Sequence, residues 1–332
     1  MAGALAAAAL FLLATPVAAW AQELVPVGRA VGIEMSCDGI LVAGLAKVST
    51  AQGEATPAAD AGILPGDIIL SLCGVELQSA EDFLAVAAKL DGSPASVLLR
   101  RGEKLIQYQV APALTGDGGY KLGILLRDGI SGIGTVTFYD PETGLYGALG
   151  HAINDTDTGV LLPLRDGRIT PASVADVKKG VCGAPGELHG AFDTARQLGS
   201  IVRNSVCGIF GFSDAPMGGE PVEVASAEQV KTGRAVILAQ VSGTETREYD
   251  VEISRVYRGG EDRLMVTVTD PALLALTGGI VQGMSGCPIL QEGRLVGAVT
   301  HVLLSDPTRG YGVLMDSMLA AADGCAPSKN AA

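Results

Sequence analysis

The chain has 332 residues, of which 48% are hydrophobic and only 4% aromatic, with 45 glycines. That length buries sizeable cores and predicts about two domains, and scarce aromatics with abundant glycine between small β-favouring residues predict a β-dominated fold. With 23 basic against 36 acidic residues, a formal net charge of -13 and no lysine- or arginine-rich run, the composition argues against a nucleic-acid partner, because phosphate binding depends on clustered cations.

The N-terminus opens with an apolar run over residues 4–14, broken by Pro16 and followed by the small-x-small pattern Ala19-Trp20-Ala21. Residues 1–21 are therefore expected to be an export signal or, if uncleaved, a membrane anchor. The run falls short of the roughly 20 residues of a spanning helix, and no second apolar segment of that length follows. The body of the protein is expected outside the cytoplasm, with membrane contact confined to the N-terminus. All six cysteines, Cys37, Cys73, Cys182, Cys207, Cys287 and Cys325, lie beyond that segment. Their wide spacing favours buried thiols, with Cys182–Cys207 or Cys37–Cys73 as candidate bridges, and no CxxC or His/Cys cluster points to a metal. No cofactor is expected.

Residues 24–114 read as a first unit of short strands with one helix. Residues 40–43 form a buried-strand run, a Pro65-Gly66 turn leads into a strand at 68–70, and residues 96–100 and 107–110 flank a turn at Gly102. The helix is predicted over 81–90, with Phe83, Leu84, Ala87 and Leu90 on one face, Ser79 at the N-cap and Asp82 completing a capping box. The segment from Pro57 to Val75, with its AGILPGDIIL run, resembles a PDZ domain. That resemblance implies a groove between the helix and a strand near residues 39–43, where an extended peptide adds to the sheet edge.

A glycine-rich passage at 115–119 marks the boundary with a second unit, residues 118–324. Strand patterns recur there at 122–126, 134–138, 236–241, 248–253, 264–269 and 295–303, so a barrel or sandwich is expected, with a β-barrel protease as the specific expectation. The most informative stretch is Gln282-Gly283-Met284-Ser285-Gly286-Cys287-Pro288-Ile289. Glycines on both sides of a serine let the chain turn tightly, so that the hydroxyl projects while nearby N–H groups converge on the same point. Cys287 reads as a packed thiol on the far side of the turn. A serine nucleophile needs a base, and the chain has only His151, His189 and His301. His151 follows Gly150 in its own glycine-bound turn, 134 positions (285 − 151) before Ser285, which fits two strand-built halves that each supply one catalytic residue. His189 reads as a surface histidine, and His301 as part of the cleft wall. Histidine before serine, without a G-x-S-x-G elbow, argues against an α/β-hydrolase and for a chymotrypsin-like order.

The blocks SGIGT (131–135), GALGHAINDTDTG (147–159), GIFG (208–211) and GGIVQGMSGCPILQEGRLVGAVTHVLLSDPTRGYGV (278–313) resemble the stage IV sporulation protein B family of serine peptidases, which carry a PDZ domain ahead of the peptidase domain. The resemblance implies a secreted or membrane-tethered endopeptidase of endospore-forming bacteria, acting between forespore and mother cell. Such an enzyme cleaves itself near the N-terminus and cuts a membrane-bound regulator. Its own N-terminal segment or another peptide is the implied occupant of the PDZ groove. By this resemblance the catalytic positions are Ser285, His151 and Asp270, with Asp155, Asp157, Asp176 and Asp193 as competing carboxylates. The N–H groups of Gly283 and Ser285 would form the oxyanion hole, and Thr300, His301 and Val302 would line the pocket for the residue preceding the cut. The chain departs from the family pattern at Cys287, where a serine is usual, and at 24–28, where a Pro-Gly-Gly turn is expected. The competing readings are an envelope quality-control serine protease, in which the PDZ domain follows the protease, and a non-catalytic PDZ scaffold.

Overall fold

The computed structural model describes residues 22–259 and 262–326. The expected signal or anchor at 1–21 lies outside them. Strand alternation sets the architecture. In the strand Ala30–Leu45 the side chains of Val31, Ile33, Met35 and Cys37, every second residue, are buried in one core, whereas Ile40 and Val42 on the opposite face enter another. A strand buried on both faces holds two cores together, and this one is common to both halves of the chain.

Its first half belongs to a ring. Ala30–Leu45 pairs with Ile124–Tyr139, then in succession come Leu145–Ala148, Gly208–Ser213, Gly199–Ser205 and Leu164–Lys178, and the last pairs back with the first. Val136, Tyr146, Leu149, Ile169, Ile201 and Ile209 fill this ring. A second closed barrel, of six strands among the described residues, runs through Gly233–Ala239, Arg247–Tyr257, Arg263–Val268, Asp306–Leu314, Arg294–Leu303 and Pro288–Gln291. Ile237, Val251, Val266, Ile289 and Val299 are in its core. The helix Met315–Ala322 covers a fourth cluster with Leu24, Phe138 and Phe210. The protein is thus mainly β, and its peptidase half is the pair of strand rings expected of a chymotrypsin-like scaffold.

The far half of Ala30–Leu45 continues the sheet through Ile68–Leu72, Ala95–Arg101 and Lys104–Val110. Helices Pro57–Ala61 and Ala80–Ala87 pack on it through Ala58 and Phe83. The capping box forms as predicted: Ser79 accepts from the Asp82 N–H and Asp82 from the Ser79 N–H. The helix ends at Ala87 rather than reaching residue 90, and Leu84 is 63% exposed, so its apolar face is narrower than the spacing predicts.

Strand pairing crosses the boundary expected at 115–119: Ile124–Tyr139 pairs with residues 41–45 of the first unit before entering the ring, while residues 30–37 belong to the ring. Both long strands are irregular where they change partners: Gly39 has φ +95°, and the pairing shifts register between Leu125 and Leu126 and between Arg127 and Gly129. Residues 39–43 offer no open edge, since Val42 pairs with Leu126 on one side and Ile40 with Ile69 on the other. The free edge is instead that of residues 124–127, which among the described residues pair with no strand on their outer side. Finally, all six cysteines are free thiols, as the favoured reading expects, but only Cys37 and Cys287 are buried, while Cys73 and Cys182 are exposed.

Candidate active site

Ser285 and His151 sit on different rings and line one cavity between them, of about 550 Å³, with Thr300, His301 and Val302. The serine loop is built by its glycines. Gly283 and Gly286 both have φ +98°, a conformation that L side chains rarely adopt, and a Cβ at Gly286 would collide with the Thr135 carbonyl. The turn closes on itself through Met284 N–H to the Val281 carbonyl (3.1 Å) and Cys287 N–H to the Met284 carbonyl (3.0 Å). Gly286 N–H donates to the Val299 carbonyl at 2.7 Å. The N–H groups of Gly283 and Ser285 have no acceptor among the described residues. These are the two donors that the sequence singles out, and buried N–H groups without acceptors are rare.

The strand Ile124–Tyr139 of the first ring holds this loop from behind. Thr135 donates its N–H to the Ser285 carbonyl (3.0 Å) and its hydroxyl to the Gly283 carbonyl (2.8 Å), and Thr137 donates to the Gly286 carbonyl (2.8 Å). The Thr135 carbonyl in turn accepts from Leu149 N–H at 3.1 Å, in the turn that presents His151. That turn needs unusual backbone: Leu149 has φ +69° and Gly150 φ +70°.

His151 is half-buried, its Nδ1 2.8 Å from the Ala152 carbonyl. A carbonyl only accepts, so Nδ1 carries the hydrogen and Nε2 keeps a lone pair for use as a base. Burial holds the His151 pKa below the usual histidine value; the Ala152 hydrogen bond opposes this, and the nearby His301 adds to it. The two rings lie 4.7 Å apart, centroid to centroid, at 37°. His301 is also held low by burial. The Ser285 hydroxyl donates to the Thr300 carbonyl at 2.6 Å.

Asp270 is elsewhere. It is the N-cap of helix Pro271–Thr277, its Oδ1 accepting from the N–H groups of Ala272 (2.8 Å) and Leu273 (2.9 Å), and its Oδ2 from Asp250 N–H at 3.4 Å. Aspartate before a proline that opens an apolar run is itself an N-cap signature, and that local role claims the side chain. The competing carboxylates do not reach His151 either. Asp155 and Asp157 pair with Arg127, at 2.8 and 2.6 Å, and Asp176 and Asp193 are exposed. The only hydrogen-bond partner of the His151 ring among the described residues is the Ala152 carbonyl. His189 is exposed on the strand Glu187–Phe192 beside Glu187. Cys287 is fully buried, its thiol pushed up to about 12 by that burial, as suits packing rather than attack. Reading the sequence missed Thr135, whose signal is its place at the end of the SGIGT block, and Ala152, whose contribution is main-chain and leaves no signal.

Two strand rings that bring a glycine-framed serine and a histidine to one cleft define a β-barrel serine peptidase. The chain belongs to the SpoIVB peptidase S55 family, whose profile matches residues 118–319. Among solved structures it is similar to the Rv3671c protease of M. tuberculosis. In an inactive form, that protease shares 16% identity, covering 58% of this chain and 83% of the other, with a TM-score of 0.36. In an active form, the values are 17%, 61%, 78% and 0.35. Two curated proteins of Xylella fastidiosa, strains 9a5c and Temecula1 / ATCC 700964, each named as a candidate zinc metalloprotease, are 30% identical over 129 residues and 31% over 102. The matches cover 38% and 30% of this chain but only 26% and 22% of those proteins. Among the described residues, no group of three or more His, Cys, Asp or Glu is placed to hold a metal ion.

Two predictions follow from this geometry. Asp270→Asn keeps a capping side chain and leaves peptidase activity and thermal stability near wild type, whereas Asp270→Ala lowers stability by about 1 kcal/mol with little loss of kcat/KM; a collapse of kcat/KM in Asp270→Asn would return Asp270 to the catalytic role. The base must be neutral to act, and its pKa is depressed. The acid limb of kcat/KM against pH therefore lies below the ordinary histidine value of about 6.5, and His301→Gln, which removes one depressing influence, moves that limb upward.

Proposed function

We propose that the protein is an exported serine endopeptidase that shortens its own N-terminal region and cuts a membrane-bound regulator in signalling between forespore and mother cell during endospore formation. The observation that carries the peptidase chemistry is the pair of unengaged N–H groups of Gly283 and Ser285 beside the Ser285 hydroxyl, in a cavity shared with His151. The sporulation role is supported by family membership.

The chemistry is acyl transfer. Ser285 Oγ leaves the Thr300 carbonyl, passes its proton to His151 Nε2 and attacks the peptide carbonyl, whose oxygen is received by the N–H groups of Gly283 and Ser285. Each such donor contributes about 3 kcal/mol to lowering the barrier. His151 then protonates the leaving amine, and water releases the acyl group by the reverse sequence. Thr300, His301 and Val302 line the cavity beside the acyl group.

The first unit is read as a PDZ-like peptide module. Its support is a cleft of about 720 Å³ between the helix Ala80–Ala87 and residues 46–49 and 115–124, lined by Phe83, Leu84, Ala87 and Leu122 and reaching the start of the free edge at Ile124. An extended peptide, from the chain's own N-terminal segment or from the substrate, can extend the sheet there through main-chain hydrogen bonds.

With the exported chain, intact masses read over time should show progressive shortening of wild type and a constant mass for Ser285→Ala, and a fluorophosphonate probe should label only the former. Wild type that stays whole and unlabelled sinks the peptidase reading, and shortening of purified Ser285→Ala sinks self-processing. For the cleft, Leu84→Asp should weaken binding of a peptide copied from residues 12–22, which precede the paired strands, at least about tenfold by fluorescence polarisation. Equal binding by both proteins would move the peptide site elsewhere.

A further inference from the structure

The cavity around Ser285 is walled mainly by aliphatic side chains. Ile280 and Val281, just before the serine loop, face Val302 and Leu304 on the chain that follows it, while Ile133 and Ile153 come from the first ring. No Asp, Glu, Lys or Arg is among the residues that line it. Its titratable lining groups are His151, half-buried and held toward the neutral form by that burial, and His301, which is exposed toward the opening. The apolar character continues outward at Leu304 (54% exposed), whose carbonyl accepts from Gly183 N–H at 2.7 Å.

The positions of the two free N–H groups fix where the scissile carbonyl sits. The Ser285 hydroxyl bonded to the Thr300 carbonyl shows how closely the strand Arg294–Leu303 approaches it. The side chain preceding the cut therefore falls between Ile280–Val281 and Val302–Leu304.

We infer that this peptidase selects substrates with a large aliphatic or aromatic residue immediately before the cut, and that Val302 and Leu304 determine that choice. The inference rests on the serine-peptidase reading of the site and adds the class of substrate. A charged side chain placed there loses its hydration and finds no opposite charge in the lining, whereas an aliphatic one exchanges water for packing contacts. A small residue leaves the cavity unfilled.

The test uses the exported full chain and tripeptidyl diphenyl phosphonates that differ only in the residue at the phosphorus, Leu, Phe, Lys, Asp or Gly, with a small fluorophosphonate as control for serine reactivity. The second-order inactivation rate with Leu or Phe should exceed that with Lys, Asp or Gly by about tenfold or more. Val302→Glu should narrow or reverse the ratio of Leu to Lys. Val302 is half-buried, so Leu304→Glu, at the exposed rim, provides a second variant that does not disturb the barrel core, and it should shift the ratio in the same direction. Labelling by the fluorophosphonate with a flat or charge-preferring series overturns the pocket inference and leaves the peptidase reading standing. Preference for Leu that neither glutamate variant alters overturns the assignment to Val302 and Leu304. No reaction with any reagent, the small control included, overturns both.

Discussion

Thr135 is the point on which the site depends. Its N–H and hydroxyl hold the carbonyls of Ser285 and Gly283, and its own carbonyl holds the turn that carries His151. One residue thus spaces the serine loop of the second barrel against the histidine turn of the first ring. Because the loop's carbonyls are drawn back toward Thr135 and Thr137, the N–H groups of Gly283 and Ser285 are left without acceptors. A pair of oriented, unengaged donors costs folding free energy and is preorganised for developing negative charge, so the strain is placed where transition-state stabilisation needs it. The close approach also explains the glycine at 286, since any side chain there would push the loop off Thr135.

The same strand reaches into the first unit. Residues 124–127 form the free edge facing the helix Ala80–Ala87, and Thr135 lies eight positions further along (135 − 127). Between them the strand is paired with Ala30–Leu45 over most of its length. The pairing shifts register between Leu125 and Leu126 and between Arg127 and Gly129, so the free edge and the anchor of the serine loop lie on one strand with bulges between them. The two units are in this sense one construction, with a core on each face of Ala30–Leu45.

Much of this was legible in the residues. Strand patterns located the main strands of the first unit and of the second barrel but missed 145–148, 164–178, 199–205 and 208–213 of the first ring and 306–314 of the barrel, whereas the Ser79–Asp82 pair located the helix start and glycines beside Ser285 and before His151 marked the two turns. What stayed hidden was long-range. The partner of each half of Ala30–Leu45 is set at long range, although Asp38-Gly39, with Gly39 at φ +95°, interrupts the apolar pattern at the place where the partners change. The Asp270-Pro271 pair carries the local sign of an N-cap, and the family expectation was followed in its place. Asp270 satisfied a family expectation and a helix start at once, and the N–H groups of Ala272 and Leu273, two and three residues away, are nearer claimants than a histidine on the other ring. The part played by the Ala152 carbonyl is invisible to sequence altogether, since every residue has one.

That carbonyl bears on how the proposed chemistry is powered. A carboxylate behind the base stabilises the imidazolium as it forms by a charge-assisted hydrogen bond, roughly twice as strong as a neutral one. The Ala152 carbonyl offers only a dipole. It fixes the tautomer and the orientation of His151, but the positive charge that develops on the ring is poorly compensated, in a site where burial already disfavours it. The adjacent negative charge on the substrate oxygen then becomes the nearest partner for the imidazolium. Both charges arise together and vanish together, so the ion pair between them, strengthened by the same burial that depresses the histidine, takes over part of the work that an aspartate does in a three-residue arrangement. In such a site the placement of the two N–H groups, and therefore of Thr135, matters more to rate than any group behind the base.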